Sequence, residues 1–162
     1  MQKKNEVPTY YEQITLGFNY RMTELQAALG LSQMKRLNEF VLKRHKLKAR
    51  YDILLDTLPV KKPYQNQDCF SALHLYPIQI DLEKVNKGRG EIFNELRQNG
   101  IGVNIHYIPI HTHPYYQYLG FKEGDFPNSE YYYSRAMSIP LFHSLTLDQQ
   151  DEVSDKLKKV LA

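Results

Sequence analysis

At 162 residues the chain has the length of one domain, or one domain with an arm, and can bury a core without disulfide staples. A hydrophobic fraction of 42% and a charged fraction of 24% exclude a disordered chain, and the apolar runs are far too short for a membrane span. One cysteine excludes a disulfide framework, and a net charge of +3 is too mild to imply nucleic acid, so a cytoplasmic α/β domain is expected.

In chain order, the opening residues are polar, and residues 13–21 read as extended chain. Thr23 followed by Gln26 has the form of a capping box, and Leu25, Ala28 and Leu29 recur at helical spacing. A longer amphipathic pattern follows, with Leu37, Phe40, Val41, Leu47, Tyr51, Leu54, Leu55 and Leu58 on one face. Together these predict a long helix, bent near Gly30 or between Met34 and Leu37 and ended by Pro59 and Pro63. Residues 61–71 are polar and turn-like, a hinge. Residues 72–80 predict a strand that Pro77 places at an edge or bulge.

Residues 91–98 predict a helix whose start Gly88 and Gly90 weaken, with Asn99-Gly100 as its stop. Residues 101–107 alternate, Ile101, Val103, Ile105 and Tyr107 on one face and Gly102, Asn104 and His106 on the other, which predicts a strand. Pro109 and Pro114 then hold a loop. Helices are expected over 128–137 and 146–161, the last with Leu147, Val153, Leu157 and Val160 as contacts. Strands interleaved with helices give an α/β or α+β layer with a helical outer face. The 13 tyrosines cluster at Tyr10-Tyr11, Tyr115-Tyr116-Gln117-Tyr118 and Tyr131-Tyr132-Tyr133, which suits either an interface or the margin of a core.

Three constellations could carry chemistry. Asn19 and Arg21 share a face of the extended segment just ahead of a helix, a fit for an anion or phosphate; alternatively Arg21 pairs with a carboxylate and Asn19 closes a turn. Asn104 and His106 form the polar side of their strand, with His111 and His113 in the following loop. That pattern suits a polar small molecule such as a sugar, or histidines satisfied within the fold. His111 and His113 lack an acidic or thiol partner at zinc spacing, so no metal is expected. The basic run Lys43, Arg44, Lys46, Lys48 and Arg50 reads as a solvated helix face; no DNA-reading motif accompanies it. No glycine-rich phosphate loop, nucleophile elbow or catalytic carboxylate pair is present.

The stretch Leu16-Gly17-Phe18-Asn19-Tyr20-Arg21-Met22-Thr23-Glu24-Leu25-Gln26-Ala27-Ala28-Leu29-Gly30-Leu31 resembles a segment of the DegT/StrS-type sugar aminotransferases. So do His74-Leu75-Tyr76-Pro77-Ile78, residues 100–109 and Ser138-Ile139-Pro140-Leu141. Within that family the resemblance is strongest to transaminases of the pseudaminic acid pathway and of spore-coat polysaccharide synthesis. The resemblance implies the C-terminal part of a fold type I pyridoxal-phosphate transferase: a long helix followed by a small antiparallel or mixed sheet covered by helices. It divides the chain into an extended arm over 1–22, an interdomain helix region over 23–60 and a C-terminal small domain over 61–162.

By the same resemblance Asn19 reaches across a homodimer to the neighbouring cofactor or substrate, and Arg21 occupies a position that is often basic, so both are cofactor-binding candidates. Asn19, Asn104, Ile105, His106 and Tyr107 become nucleotide-sugar contacts. The implied reaction moves an amino group from glutamate, through pyridoxal 5'-phosphate, to a UDP-linked 4-keto-6-deoxy sugar. No lysine here matches the family's cofactor-bonding position, so the chain alone is expected to be inactive and to associate with a second copy or with a large domain. Leu47, Leu54 and Leu55 would face that large domain and be left partly exposed. A non-catalytic sugar-binding or protein-interaction module is the alternative. Neither nucleic acid nor membrane is an expected partner.

Overall fold

The computed structural model describes residues 15–18 and 20–162. The chain divides into two compact units, the first ending at Leu37 and the second spanning Asn38–Ala162. In the first unit the described residues before Thr23 carry no regular structure, and α1 covers Glu24–Met34. Thr23 caps it as expected: its hydroxyl oxygen accepts from the Gln26 backbone N–H at 3.3 Å, and the Gln26 side chain accepts from the Thr23 N–H at 3.0 Å. Leu25, Leu29, Leu31 and Met34 are all exposed within this unit.

The next helix is α2 (Leu37–Leu54), nearly all of it in the second unit, and the predicted long helix is interrupted at Lys35-Arg36, between Met34 and Leu37, the second of the two places expected. The second unit continues through β1 (Val60–Lys61), β2 (Tyr76–Ile80), α3 (Arg89–Gln98), a 3-10 turn (Ile110–Thr112), α4 (Pro114–Tyr118), α5 (Pro127–Arg135), β3 (Ala136–Ile139) and α6 (Leu147–Leu161). The three strands form an antiparallel sheet in the order β1-β2-β3. Along β2 the side chains of Tyr76, Ile78 and Ile80 are buried, while Pro77 and Gln79 are half-buried. Onto the buried row pack Leu47, Tyr51 and Leu55 from the α2 region, Ile92 and Leu96 from α3, and Val153, Leu157 and Val160 from α6. The architecture is thus the expected mixed small domain, a small antiparallel sheet covered by helices.

Burial corrects one expectation directly. Leu47 and Leu55 are 4% and 0% exposed, because they are the wall of this unit's own core and are not left bare, whereas Leu54 stays partly exposed at the margin of that core. Two polar side chains tie α2 into that core. The fully buried Gln150 amide donates to the Leu47 carbonyl at 2.6 Å, and Arg50 Nη2 donates to both Asp151 carboxylate oxygens, at 2.6 and 2.8 Å, while its Nη1 donates to the Leu147 carbonyl at 3.2 Å. With Lys48 paired to Asp52 as well, the basic run is partly absorbed into ion pairs and is no continuous stripe.

Pro77 sits in the middle strand, and the ladder explains how. Ser138, its partner across β2 and β3, turns both its N–H and its carbonyl towards Asn104, at 2.8 and 3.1 Å. Pro77 and Ser138 are therefore a non-hydrogen-bonded pair, and the missing proline N–H would face the β1 side. There β1 reaches only Gln79 and Ile80, so no ladder bond is lost.

Other expectations shift by a few residues. Gly88 is the N-cap of α3 without a side chain to cap it, and its N–H donates to the Glu91 carboxylate at 2.7 Å. The stop is a Schellman turn: Gly100, at φ +81°, donates to the Arg97 carbonyl, and Ile101 donates to that of Leu96. The helix expected over 128–137 ends at Arg135, and Ala136–Ile139 is strand. Pro140 disfavours helix at Ile139, which is the local signal for that change. Leu147 is 58% exposed and makes no core contact, unlike Val153, Leu157 and Val160. Among the described residues no helix is long and apolar enough to cross a membrane.

Candidate functional site

The predicted strand over 101–107 is mostly irregular. Ile101 and Val103 are buried and Gly102 and Asn104 exposed, so the alternation holds for four residues, yet the only ladder contact is Asn104 with Ser138. The partner runs out: in the antiparallel register set by Asn104 and Ser138, His106 lies opposite Ala136, the first residue of β3, and Tyr107 opposite Arg135, already in α5. Ile105 and His106 are half-buried and Tyr107 is 75% exposed, with a cis peptide bond between His106 and Tyr107.

The segment borders a shallow hollow of about 340 Å³ lined by Ile105, Tyr107, Ile108, His113 and Tyr133. Ile105 and Tyr107, expected on the apolar face, are thus the members that line it. Asn104 and His106, expected to face the ligand, do not. Asn104 lies at the surface with its backbone bound to Ser138, and the His106 ring holds its Nδ1 3.0 Å from Ser138 Oγ and its edge against the Tyr107 ring, with centroids 4.7 Å apart. Neither is sealed in the core. Tyr133, which the sequence reading did not single out, is fixed from behind by Arg89, whose guanidinium lies 4.5 Å over the ring and donates to the Tyr133 carbonyl.

The loop after this segment is built around His111. Its ring is 6% exposed, and Nε2–H donates to Glu130 Oε1 at 2.6 Å; the same oxygen accepts from the Gly124 N–H at 2.8 Å. The His111 hydrogen bond, followed by that of Gly124, holds the Glu130 carboxyl below its usual range. His111 therefore staples the 3-10 turn to α5. Beside it Ile110, Tyr116, Phe121, Phe126 and Ser129 line an apolar hollow of about 320 Å³. Among the described residues no three His, Cys, Asp or Glu side chains gather as a metal cage.

In the first unit Arg21 lines an open hollow of about 590 Å³ with Tyr20, Met22 and Gln26, while Asn19 lies outside the described residues. A fourth hollow, of about 410 Å³ along β1, carries Lys61, Lys84 and Arg135. Two of the three are matched, Lys84 to Asp81 at 3.0 Å and Arg135 to Glu83 at 3.4 Å, while Lys61 is exposed.

A sequence profile described as the DegT/DnrJ/EryC1/StrS aminotransferase family matches residues 1–158. The chain belongs to that family. The spore coat polysaccharide biosynthesis protein SpsC of Bacillus subtilis is 39% identical over 155 residues, covering 94% of this chain and 40% of SpsC. Among solved structures, Helicobacter pylori PseC, an aminotransferase involved in the biosynthesis of pseudoaminic acid, superposes with a TM-score of 0.83 at 28% identity, over 99% of this chain and 43% of PseC. S. venezuelae DesV, solved in complex with a ketimine intermediate, gives a TM-score of 0.82 at 27% identity over 94% of this chain and 40% of DesV. The chain thus spans about 40% of the length of the relatives it matches.

The family implies pyridoxal phosphate. A complete site for that group needs a lysine amine at the aldehyde carbon and a polar partner for the pyridine nitrogen. The hollows lined by Arg21 and by Tyr107 contain neither a lysine nor a carboxylate, and in the hollow along β1 both carboxylates, Asp81 and Glu83, are committed to Lys84 and Arg135, which leaves none for the pyridine nitrogen beside Lys61. The described residues do not fit a complete cofactor site.

Proposed function

We propose that this chain supplies the sugar-facing small domain of a pyridoxal-phosphate-dependent aminotransferase that aminates a UDP-linked 4-keto-6-deoxy sugar for surface glycan synthesis, with glutamate as donor. The observation that carries the reading is the family match over residues 1–158 together with the placement of residues 104–107: Asn104 at the surface, His106 short of burial, and Ile105 and Tyr107 in a hollow with Tyr133. Aromatic rings with a few polar groups at a surface hollow suit the flat faces and hydroxyls of a nucleotide sugar. In this reading Asn104, Ile105, His106 and Tyr107 contact the substrate. Asn19 and Arg21 contribute amide and guanidinium donors to an anionic group of cofactor or substrate in a homodimer or against a large domain. By itself the chain binds sugar and transfers no amino group.

Titration of the labelled chain with UDP-N-acetylglucosamine tests this. Resonances of His106, Tyr107 and Tyr133 are expected to shift while those of Val153 and Leu157 stay fixed; uniform or absent shifts refute the sugar reading. Supplying the N-terminal portion of SpsC separates catalysis from binding. Glutamate-dependent transfer restored by the pair supports the aminotransferase, whereas binding with no transfer under any pairing supports a non-catalytic sugar module.

A further inference from the structure

Ser138 belongs to a stretch, Ser138-Ile139-Pro140-Leu141, that the functional reading so far leaves without a role. It is 5% exposed, in the middle of β3, and touches the proposed sugar segment at two points. Its backbone N–H donates to the Asn104 carbonyl and its carbonyl accepts from the Asn104 N–H, at 2.8 and 3.1 Å. Its side-chain oxygen lies 3.0 Å from His106 Nδ1. One buried residue thus sets both the backbone of Asn104 and the ring of His106.

The hydrogen-bond inventory decides which way the side-chain bond runs. A serine hydroxyl has one proton to donate, and a neutral imidazole has one nitrogen that donates and one that accepts. Among the described residues His106 Nδ1 is the sole partner of the Ser138 hydroxyl. Were Nδ1 protonated, the Ser138 O–H would be a buried donor with no acceptor, the costly arrangement for a polar group out of water. With the serine donating, every proton at this contact has a partner. Nδ1 is then the acceptor and Nε2 carries the hydrogen.

We propose that Ser138 is a positioning residue that holds His106 as its Nε2–H tautomer, so that the ring presents a hydrogen-bond donor to an oxygen acceptor of the nucleotide sugar. The proposal rests on the sugar-site reading above for what the donor meets, but not for the tautomer itself. It also explains why a small hydroxyl residue occupies a strand position otherwise flanked by apolar Met137 and Ile139, both 3% exposed or less. The substrate atom that His106 meets is an acceptor, a carbonyl, hydroxyl or phosphate oxygen, and not a donating amide.

Nitrogen-15 imidazole spectra of the histidine-labelled chain at a pH where His106 is neutral read the tautomer directly. The wild type is expected to show a protonated Nε2 and an unprotonated Nδ1. Ser138→Ala is expected to lose that bias and to weaken UDP-N-acetylglucosamine binding by about three- to tenfold, the loss for one hydrogen bond. Ser138→Thr, which keeps the hydroxyl, is expected to restore both. A protonated Nδ1 in the wild type, or a tautomer unchanged in Ser138→Ala, overturns the proposal even where the sugar binds. The expected tautomer changes with UDP-N-acetylglucosamine binding equal in wild type and Ser138→Ala also overturn it, by reducing Ser138 to a purely structural contact. A failure of the sugar-site reading looks different: the tautomer behaves as expected but UDP-N-acetylglucosamine shifts no resonance of residues 104–107 in any variant.

Discussion

The two tyrosines at the centre of the core predict how the domain responds to alkali. Tyr51 and Tyr76 are both 0% exposed, with ring centroids 5.2 Å apart. The Tyr51 hydroxyl donates to the Pro140 carbonyl at 3.0 Å and the Tyr76 hydroxyl to Asp52 Oδ1 at 2.6 Å. Burial drives both phenols well above their ordinary value of 10.0; for Tyr76 the hydrogen bond to the Asp52 carboxylate adds to it, and for Tyr51 the Arg50 charge offsets a little. A group whose proton is held more tightly in the folded state stabilises the fold fully below its unfolded value, and that contribution is lost as pH rises above it.

The loss therefore begins near pH 10. By pH 11 it amounts to about 1.4 kcal/mol for each tyrosine and about 3 kcal/mol for the pair, a large share of the roughly 5–15 kcal/mol that holds a domain of this size. Urea unfolding at pH 8 and pH 11 measures it. Tyr51→Phe and Tyr76→Phe are each expected to remove about half of the alkaline loss, and the double variant nearly all of what the tyrosines contribute. Phenols that stay in water titrate alike in both states and cancel. At pH 8 the order is set by the acceptor: Tyr76→Phe, which gives up a bond to a carboxylate, costs about 1.5–3 kcal/mol, against about 0.5–1.5 kcal/mol for Tyr51→Phe, which gives up a bond to a carbonyl. A double variant that loses as much stability between pH 8 and pH 11 as the wild type would refute the assignment of the alkaline loss to these phenols.

Other consequences are as direct. Glu130 is held ionised by His111, so the tie between the 3-10 turn and α5 is present above the usual carboxylate value of 4.5 and is lost as pH falls below it. Hydrogen exchange over residues 110–130 should accelerate in that window relative to β2, and Glu130→Gln should abolish the difference. Leu157→Ala, at a fully buried position facing the core, should cost about 2–5 kcal/mol in urea unfolding, while Leu147→Ala on the exposed side of the same helix should stay within about 0.5 kcal/mol. Arg50→Lys keeps the charge but not the two-armed reach to Asp151 and the Leu147 carbonyl, and a loss of about 1 kcal/mol or less is expected at this half-exposed pair; a loss several times larger would mean that the contact with the Leu147 carbonyl matters more than the ion pair.

Much of the fold was legible because its signals are local. The Thr23 cap, the Asn99-Gly100 stop and the apolar spacing of α2, α3 and α6 depend on residues within a turn or two of one another, and each recurs in the structure. The family resemblance was carried in the same way, by contiguous motifs such as residues 16–31 and 100–109, and the match over residues 1–158 bears it out. What the chain could not announce was pairing at a distance. Ala136–Ile139 is strand because β2 lies along one side of it and Asn104 along the other, partners 30 or more positions away. The run over 101–107 had a strand pattern, but β3 begins at Ala136, opposite His106, and only Asn104 joined the ladder. Leu47 and Leu55 were expected at an outer surface and became core, because α6 and β2 close over them. Residue types and their periodicity determined which segments were helical and which family they serve. Long-range contacts decided which side chains were removed from water and, at Ser138, which histidine nitrogen has a partner.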